Sequence, residues 1–587
     1  MLKLRQAAVV LALLSASAQA APDAKPDLKT ISEQSGFIKT GRYDEVIRLC
    51  QDFAARWPEA VRCEEFGRTP EGRPMMLMVV SRSGALTPQA AAAKHVPVML
   101  IQGGIHAGEI DGKDAGFLAL RDALEGKTDK GMLDRQVLLF VPVFNVDGHE
   151  RFGPWQRPNQ VGPAEMGWRT TAQNYNLNRD YMKADTPEMQ AMLQLINTWD
   201  PLLAADLHVT DGAKFQHDVS ITVEPVYSGD QALRAAGLAL RSDVNRQLSK
   251  KGSLPLAFYP AFVVDDDPSS GFADSVPPPR FSNGYFVQRN RFGVLVETHS
   301  WKDYKTRVRI TRNTIDALLA QMAEHGQDWL KLTAAADQRA IQLSGTVPLS
   351  WKVSDKIRTI DFLGYAYTRT PSDVSGALMT RYDDRKKQVW HLPMRDDPQP
   401  LYSVVAPGSG YIVPAAQADW LKQKFALHNI VYRRFDEEQA PGPVQVFRAT
   451  AVRYAKESFE NRTAVEFDGE WKPETRGVPA GSLFVPIHQP NARLVMGLLE
   501  PGAPDSFAAW GFFNIAFEQK EYMEAYVAED VARDLLAKDP ALAAEFKRKL
   551  TEDAAFAASP AARLNFFAQR SPSRDERLNL YPVMRVD

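Results

Sequence analysis

Six short apolar runs, several of them hydrophobic at nearly every position, limit the possible folds more than any other feature of the chain. They are Met75–Val80, Val96–Ile101, Val137–Val143, Leu202–His208, Val219–Val223 and Val294–Glu297. A strand with one wet face alternates apolar and polar residues. A run without alternation suits a strand buried on both faces, as in a parallel sheet covered by helices. Helical patterns lie between the runs, as in Gly116–Leu124 and Pro187–Thr198. Upstream, Tyr43, Val46, Ile47, Cys50, Ala54 and Trp57 share one helical stripe that Pro58 ends. The order predicts an α/β fold with a mixed, mainly parallel central sheet flanked by helices. A helix over about Asn313–Gln342 closes this first domain, predicted to span residues 21–342.

Residues 343–587 read as a C-terminal α/β extension of unknown role. Strand-like stretches are Tyr365–Thr370, Tyr402–Val405, Tyr411–Val413, Val444–Tyr454 and Ser482–Pro486, followed by helices near Gln519–Lys538 and Ala541–Leu550. The aromatics from Phe507 to Tyr526 are expected to form core. In the first domain, residues 252–291 break the rhythm with six prolines, three of them consecutive (Pro277, Pro278 and Pro279). A long irregular insertion of this kind is more often a binding loop than filler.

Seventy basic against 72 acidic residues give a formal charge of −2, so no field draws this chain to nucleic acid and no such partner is expected. Two cysteines exclude a disulfide framework and cysteine-rich zinc modules. Residues 1–20 carry Lys3 and Arg5, an apolar run from Ala7 to Leu14, and Ala18-Gln19-Ala20, which together predict a cleaved signal peptide. No later run reaches membrane-spanning length, so the expected product is exported, periplasmic or extracellular, with no membrane span. There Cys50 and Cys63 either pair or remain two buried thiols; sequence does not give their separation.

The Val96–Ile101 run leads into Gln102-Gly103-Gly104-Ile105-His106-Ala107-Gly108-Glu109. Glycines permit a sharp turn at a strand's C-terminal end, where α/β folds build sites. His106 and Glu109, three apart, can converge on one ion, and His208 ends a second apolar run. Two histidines and a glutamate leave one position open for water, as catalytic zinc requires. Glu297 ends a third run and can take a proton from that water. His299 shares a strand face with Glu297 if the strand continues, and is read as structural.

These residues fall in an ordered series: Thr69-Pro70-Glu71-Gly72-Arg73-Pro74, Gly104 to Glu109, Asn145-Val146-Asp147-Gly148, Trp168-Arg169, Asn176-Leu177-Asn178-Arg179-Asp180, Asp206-Leu207-His208 and Glu297. In content and order the series resembles the zinc carboxypeptidases of the carboxypeptidase A type, across roughly residues 25–340. The extension, with Leu498 to Ser506 as a recognisable stretch, is similar to that of some bacterial secreted members.

The resemblance implies one Zn2+ held by His106, Glu109 and His208, with Glu297 as base toward the zinc-bound water and acid toward the leaving amine. It further implies that Arg169 stabilises the oxyanion and that Asn178 and Arg179 hold the terminal carboxylate of a peptide substrate. The family's Asp two residues before the Asn-Arg pair is Asn176 here, a weaker partner for a zinc-bound histidine. Its mobile tyrosine has no clear match: Tyr285 is the candidate and Tyr259 the other choice. The expected activity is that of a zinc metallocarboxypeptidase. A zinc amidase acting on cell-wall (murein) peptides and a non-catalytic peptide-binding protein are the alternatives. Asp265, Asp266 and Asp267 either supply an acidic pocket or are solvated loop carboxylates, and the oligomeric state is open.

Overall fold

The computed structural model describes residues 26–128 and 131–587; the expected signal peptide lies outside these. Nine strands belong to the first part: β1 (Val61–Arg68), β2 (Pro74–Val80), β3 (Val98–Gly103), β4 (Val137–Val141), β5 (Leu203–Thr210), β6 (Val219–Glu224), β7 (Pro255–Leu256), β8 (Phe272–Ala273) and β9 (Phe292–His299). All but β8 form one eight-stranded sheet in the order β1-β2-β4-β3-β5-β9-β6-β7. Its centre is parallel, through the pairs β4 with β3, β3 with β5 and β5 with β9, while β1, β2 and β6 join antiparallel. Every residue of β3, β4 and β5 is buried, which is why these strands read as unbroken apolar runs.

Helices Tyr43–Arg56, Asp111–Leu124, Pro187–Trp199 and Gln231–Lys250 cover the sheet. The closing helix starts earlier than expected and spans Tyr304–Ile341. Its first turns bury polar residues (Arg307, Thr311 and Thr314), so hydrophobic periodicity understates them. Arg307 offsets that burial by pairing with the buried Asp111 at 2.9 Å. Cys50, on the first long helix, forms a disulfide with Cys63 on β1, with Cα atoms 5.3 Å apart.

The extension begins with β10 (Thr346–Val353) and the long hairpin β11 (Arg358–Pro371) and β12 (Leu378–Arg395), and β10 pairs with β13 (Pro398–Val405). Six more strands follow: β14 (Gly410–Val413), β15 (Arg433–Arg434), β16 (Gln439–Tyr454), β17 (Val465–Val478), β18 (Leu483–Pro486) and β19 (Leu580–Val586). They form a second sheet ordered β15-β18-β14-β19-β16-β17. Phe507, Trp510, Phe513 and Phe517 are buried as expected for core, whereas Tyr522 and Tyr526 are exposed.

The extension is not detached from the first part. β12 pairs in parallel with β8 inside the proline-rich insertion, and Phe272, Phe362, Trp390 and Leu392 share a core there. Asp266 accepts from the Thr380 backbone N–H at 3.2 Å, and Asp267 pairs with Arg369 at 2.7 Å. Those carboxylates therefore fasten the insertion to the hairpin and are absent from the walls of the cavity described next.

Candidate active site

A cavity of about 390 Å³ opens over the C-terminal ends of β5 and β9. Gly104, with φ +62°, turns the chain after β3 through a conformation that costs a residue with a Cβ. The Glu109 backbone N–H then donates to the His106 carbonyl at 2.9 Å, and this turn brings the two side chains together. His208 arrives from β5, where register pairs it directly with Glu297 on β9. Nδ1 of His106 lies 3.0 Å from Glu109 Oε1, and Nδ1 of His208 lies 2.9 Å from Oε2. Ligand atoms of the three residues all lie within 4.8 Å of one another.

Two nitrogens and one carboxylate in a buried cluster fit a zinc ion with an open position. His106 Nε2 lies 3.1 Å from Asn176 Oδ1, a pairing that fixes the ring and leaves Nδ1 free as a ligand. Burial lowers the His106 pKa to about 4, which favours the neutral, metal-binding form. Burial acts the same way on His208, but the Asp206 and Glu297 carboxylates outweigh it and raise that pKa. Asp206 Oδ2 is 2.9 Å from His208 Nε2 and accepts from Ser282 Oγ at 2.7 Å. Burial also raises the Glu297 pKa, with Glu109 and Asp206 adding to it and His208 and Arg157 opposing.

Arg169, Asn178 and Arg179 line the same cavity. The Arg169 loop is held from behind: Asn145 Nδ2 donates to the Arg169 carbonyl at 3.1 Å, and the Trp168 N–H to the Gly148 carbonyl at 2.7 Å. Asp147, in that same Asn-Val-Asp-Gly turn, accepts from Thr69 Oγ1 at 2.8 Å and Arg73 at 2.6 Å. The Thr69–Pro74 and Asn145–Gly148 motifs thus form one structural support. Arg179 lies over the Phe281 ring at 4.5 Å and, among the described residues, has no ion pair. Burial, then the neighbouring Arg169 and Arg280, lower its pKa to about 10. Asn178 Oδ1 is buried without a hydrogen-bond partner.

Tyr285 is a correction. It is fully buried on the short helix Ser282–Gln288, and its hydroxyl is 3.0 Å from His428 Nδ1. That pairing commits Tyr285 to the core, while Tyr259 lines the cavity. His299 is buried and stacks on Phe215 with centroids 4.3 Å apart, the structural role expected of it.

Sequence reasoning missed three features. Arg157 is buried and reaches Glu109 Oε1 at 3.0 Å from a proline-bounded loop that carries no motif. Glu460, in the extension, accepts from the Asn176 backbone N–H at 2.9 Å across 284 residues. Glu224, Arg241 and Asp274 gather at another wall of the cavity. Ser220 pairs with Glu297 and Glu224 with Gly293, so Glu224 sits four residues along β6, about 13 Å from the Glu297 level.

Residues 46–225 match the Peptidase_M14 family of zinc carboxypeptidases. Carboxypeptidase 2 of Trichophyton tonsurans is 22% identical over 492 residues, covering 76% of this chain and 80% of that protein. Carboxypeptidase 2 of Trichophyton rubrum is 21% identical over 491 residues, covering 76% and 79%. Among solved structures, carboxypeptidase A from Helicoverpa armigera aligns with TM-score 0.36 and 17% identity, over 49% of this chain and 74% of that one. The family match spans His106, Glu109, Arg169, Asn178, Arg179 and His208, so this part of the chain is a zinc carboxypeptidase domain.

Proposed function

We propose that this zinc metallocarboxypeptidase is exported and removes the C-terminal residue of peptides, with Glu297 as the group that moves the proton. The observation that carries the reading is Arg179, a half-buried guanidinium without an ion pair among the described residues, in the same cavity as the His106, Glu109 and His208 cluster. A cation withdrawn from water and left unpaired is unfavourable unless an anion completes it. The terminal carboxylate of a peptide, taken as a bidentate partner with Asn178 beside it, is that anion.

Zinc held by His106, Glu109 and His208 would supply Lewis-acid polarisation of the scissile carbonyl and a more acidic water. Glu297 removes a proton from the attacking water and returns it to the leaving amine. Buried, lining the cavity and register partner of His208, it is placed to carry the proton between the two steps. Arg169, with its side chain 37% exposed at the cavity edge, offers a donor to the oxyanion. The terminal side chain lies along β6 and β9 toward Glu224, Arg241 and Asp274, which suits a polar group there. The Cys50–Cys63 disulfide supports the reading of an oxidising, extracytoplasmic location. Among the described residues no helix is long and apolar enough to cross a membrane.

The test is a matched pair of peptides, one with a free C-terminus and one amidated, assayed beside a cell-wall peptide. The expected result is release of one residue from the free peptide and slow turnover of the amide. Equal turnover of both would contradict the exopeptidase reading.

A further inference from the structure

The carboxylate end of the cavity is braced from outside the first domain. Asp505 follows the helix Ala492–Leu499 and is 1% exposed. One of its oxygens accepts from the Arg280 backbone N–H at 3.0 Å, and the other from the Arg280 guanidinium at 2.8 Å. The partners are 225 residues apart in sequence. Arg280 immediately precedes Phe281, the ring that lies 4.5 Å beneath the Arg179 guanidinium. Holding a residue by its own N–H and its side chain together removes most of its freedom, so the main chain entering Phe281 is fixed by Asp505.

A second clamp from the extension holds the chain just before Arg179. Glu460 and Asn461 form the tip of a tight turn, both with positive φ (51° and 61°), between the bridged residues Phe459 and Arg462. Asn461 Nδ2 donates to the Tyr175 hydroxyl at 2.8 Å, Glu460 accepts from the Asn176 N–H at 2.9 Å, and Arg462 pairs with Asp185 at 2.9 Å. The segment bearing Asn178 and Arg179 is thereby gripped at both ends by the extension, while Asp505 fixes the ring on which Arg179 rests.

We propose that the C-terminal extension is a positioning unit for substrate-carboxylate recognition, and that Asp505 is the positioning residue through which it sets Arg179. The proposal rests on the reading that Arg179 receives the terminal carboxylate. Asp505 is outside the cavity lining and is not one of the metal-cluster residues. Its loss therefore changes where Arg179 is held and leaves the hydrolytic chemistry in place.

The experiment uses the full-length, zinc-loaded protein. Asp505→Asn removes the buried charge. Arg280→Gln removes the same pair from its less buried side, 29% exposed, and keeps the test open if the first variant does not fold. KM and kcat are measured for a free-carboxylate peptide and its amide, with the inhibition constant of 3-phenylpropionate, a carboxylate with no scissile bond. Zinc content and thermal midpoint report folding. The expected result is a rise of about tenfold in KM and in the inhibition constant, with kcat nearly unchanged and turnover of the amide unaffected. A merely structural loss would lower both substrates together and leave their ratio at the parent value, which overturns the proposal. Folded, zinc-replete Arg280→Gln with parent KM and inhibition constant overturns it as well. If the parent itself does not distinguish acid from amide, the reading of Arg179 falls and this inference falls with it; if the parent does and the variants do equally, only the inference falls.

Discussion

The two ends of the cavity are built by different means. At the metal end, His208 and Glu297 are register partners on adjacent parallel strands, and His106 and Glu109 share one turn after β3. Sheet hydrogen bonds and a single glycine turn fix these four residues. At the proposed carboxylate end, Asn178 and Arg179 sit on a short 3-10 turn whose supports come from Glu460 and, through Arg280 and Phe281, Asp505. The chemical end is thus local to the sheet, whereas the recognition end depends on contacts made across the molecule. Substitutions at the first should stop the reaction, and substitutions at the second should change which substrates are held.

The largest expected effect is at the metal end. His106→Ala should remove most bound zinc and reduce activity to background. Near-stoichiometric zinc in that variant, by elemental analysis, would mean the ligand set is wrong. At the recognition end, Arg179→Gln should keep its zinc and lose about 2–5 kcal/mol of transition-state binding toward free-carboxylate peptides. At the lower bound that is about a 30-fold loss in kcat/KM, carried mainly by KM. The variant should also turn over acid and amide at similar rates. Retained discrimination would move the carboxylate site elsewhere.

A smaller effect concerns a carboxylate on the helix that follows the Asn178-Arg179 segment. Glu188, fully buried at the start of the helix Pro187–Trp199, has no partner for either oxygen. Burial, with Asp147 and Asp180 adding and its own backbone N–H opposing, pushes its pKa up to about 7. A carboxyl raised on folding stabilises the protein below its unfolded pKa, and that contribution is lost as pH rises toward 7. Glu188→Gln should therefore gain about 1–3 kcal/mol over the parent at pH 8 and little near pH 4.5. The thermal midpoints of the two proteins across that range check the sign. The smallest effect belongs to the specificity wall: Glu224→Gln should alter preference among polar terminal residues in a peptide library while kcat for the best substrate stays within a few-fold.

The same division explains what could be read before the structure was known. Strands β2 to β5 and β9 are legible because burial on both faces leaves a nearly unbroken apolar run, β6 through its alternating Val219, Ile221 and Val223, and the candidate metal cluster because His208 ends one such run while His106 and Glu109 closely follow another. Edge strand β1 was not, since Val-Arg-Cys-Glu-Glu-Phe-Gly-Arg is only partly buried. The hairpin strand β12 carries a central run of charged residues, Asp383 to Lys387, and is half exposed, so its residues give no strand signal. Tyr285 is a candidate by its place in the chain, yet its hydroxyl is taken by His428, more than a hundred residues away. Asp505, Glu460 and Arg157 act through pairings that no local pattern encodes. The aspartates at 265–267, which looked able to form an acidic pocket, are instead spread between solvent and the β11–β12 hairpin.

Glu297 tests the account most directly, because it joins the sheet-built end to the reaction itself. Glu297→Gln keeps shape and hydrogen-bonding capacity and removes the proton acceptor. Elemental analysis, peptide binding and turnover should be measured on one preparation. Zinc and peptide affinity should stay at parent levels while kcat falls by at least ~10²–10⁴-fold. Turnover at the parent rate in a zinc-loaded variant would contradict the assignment of the proton transfer to Glu297, and loss of zinc would contradict the three-residue ligand set.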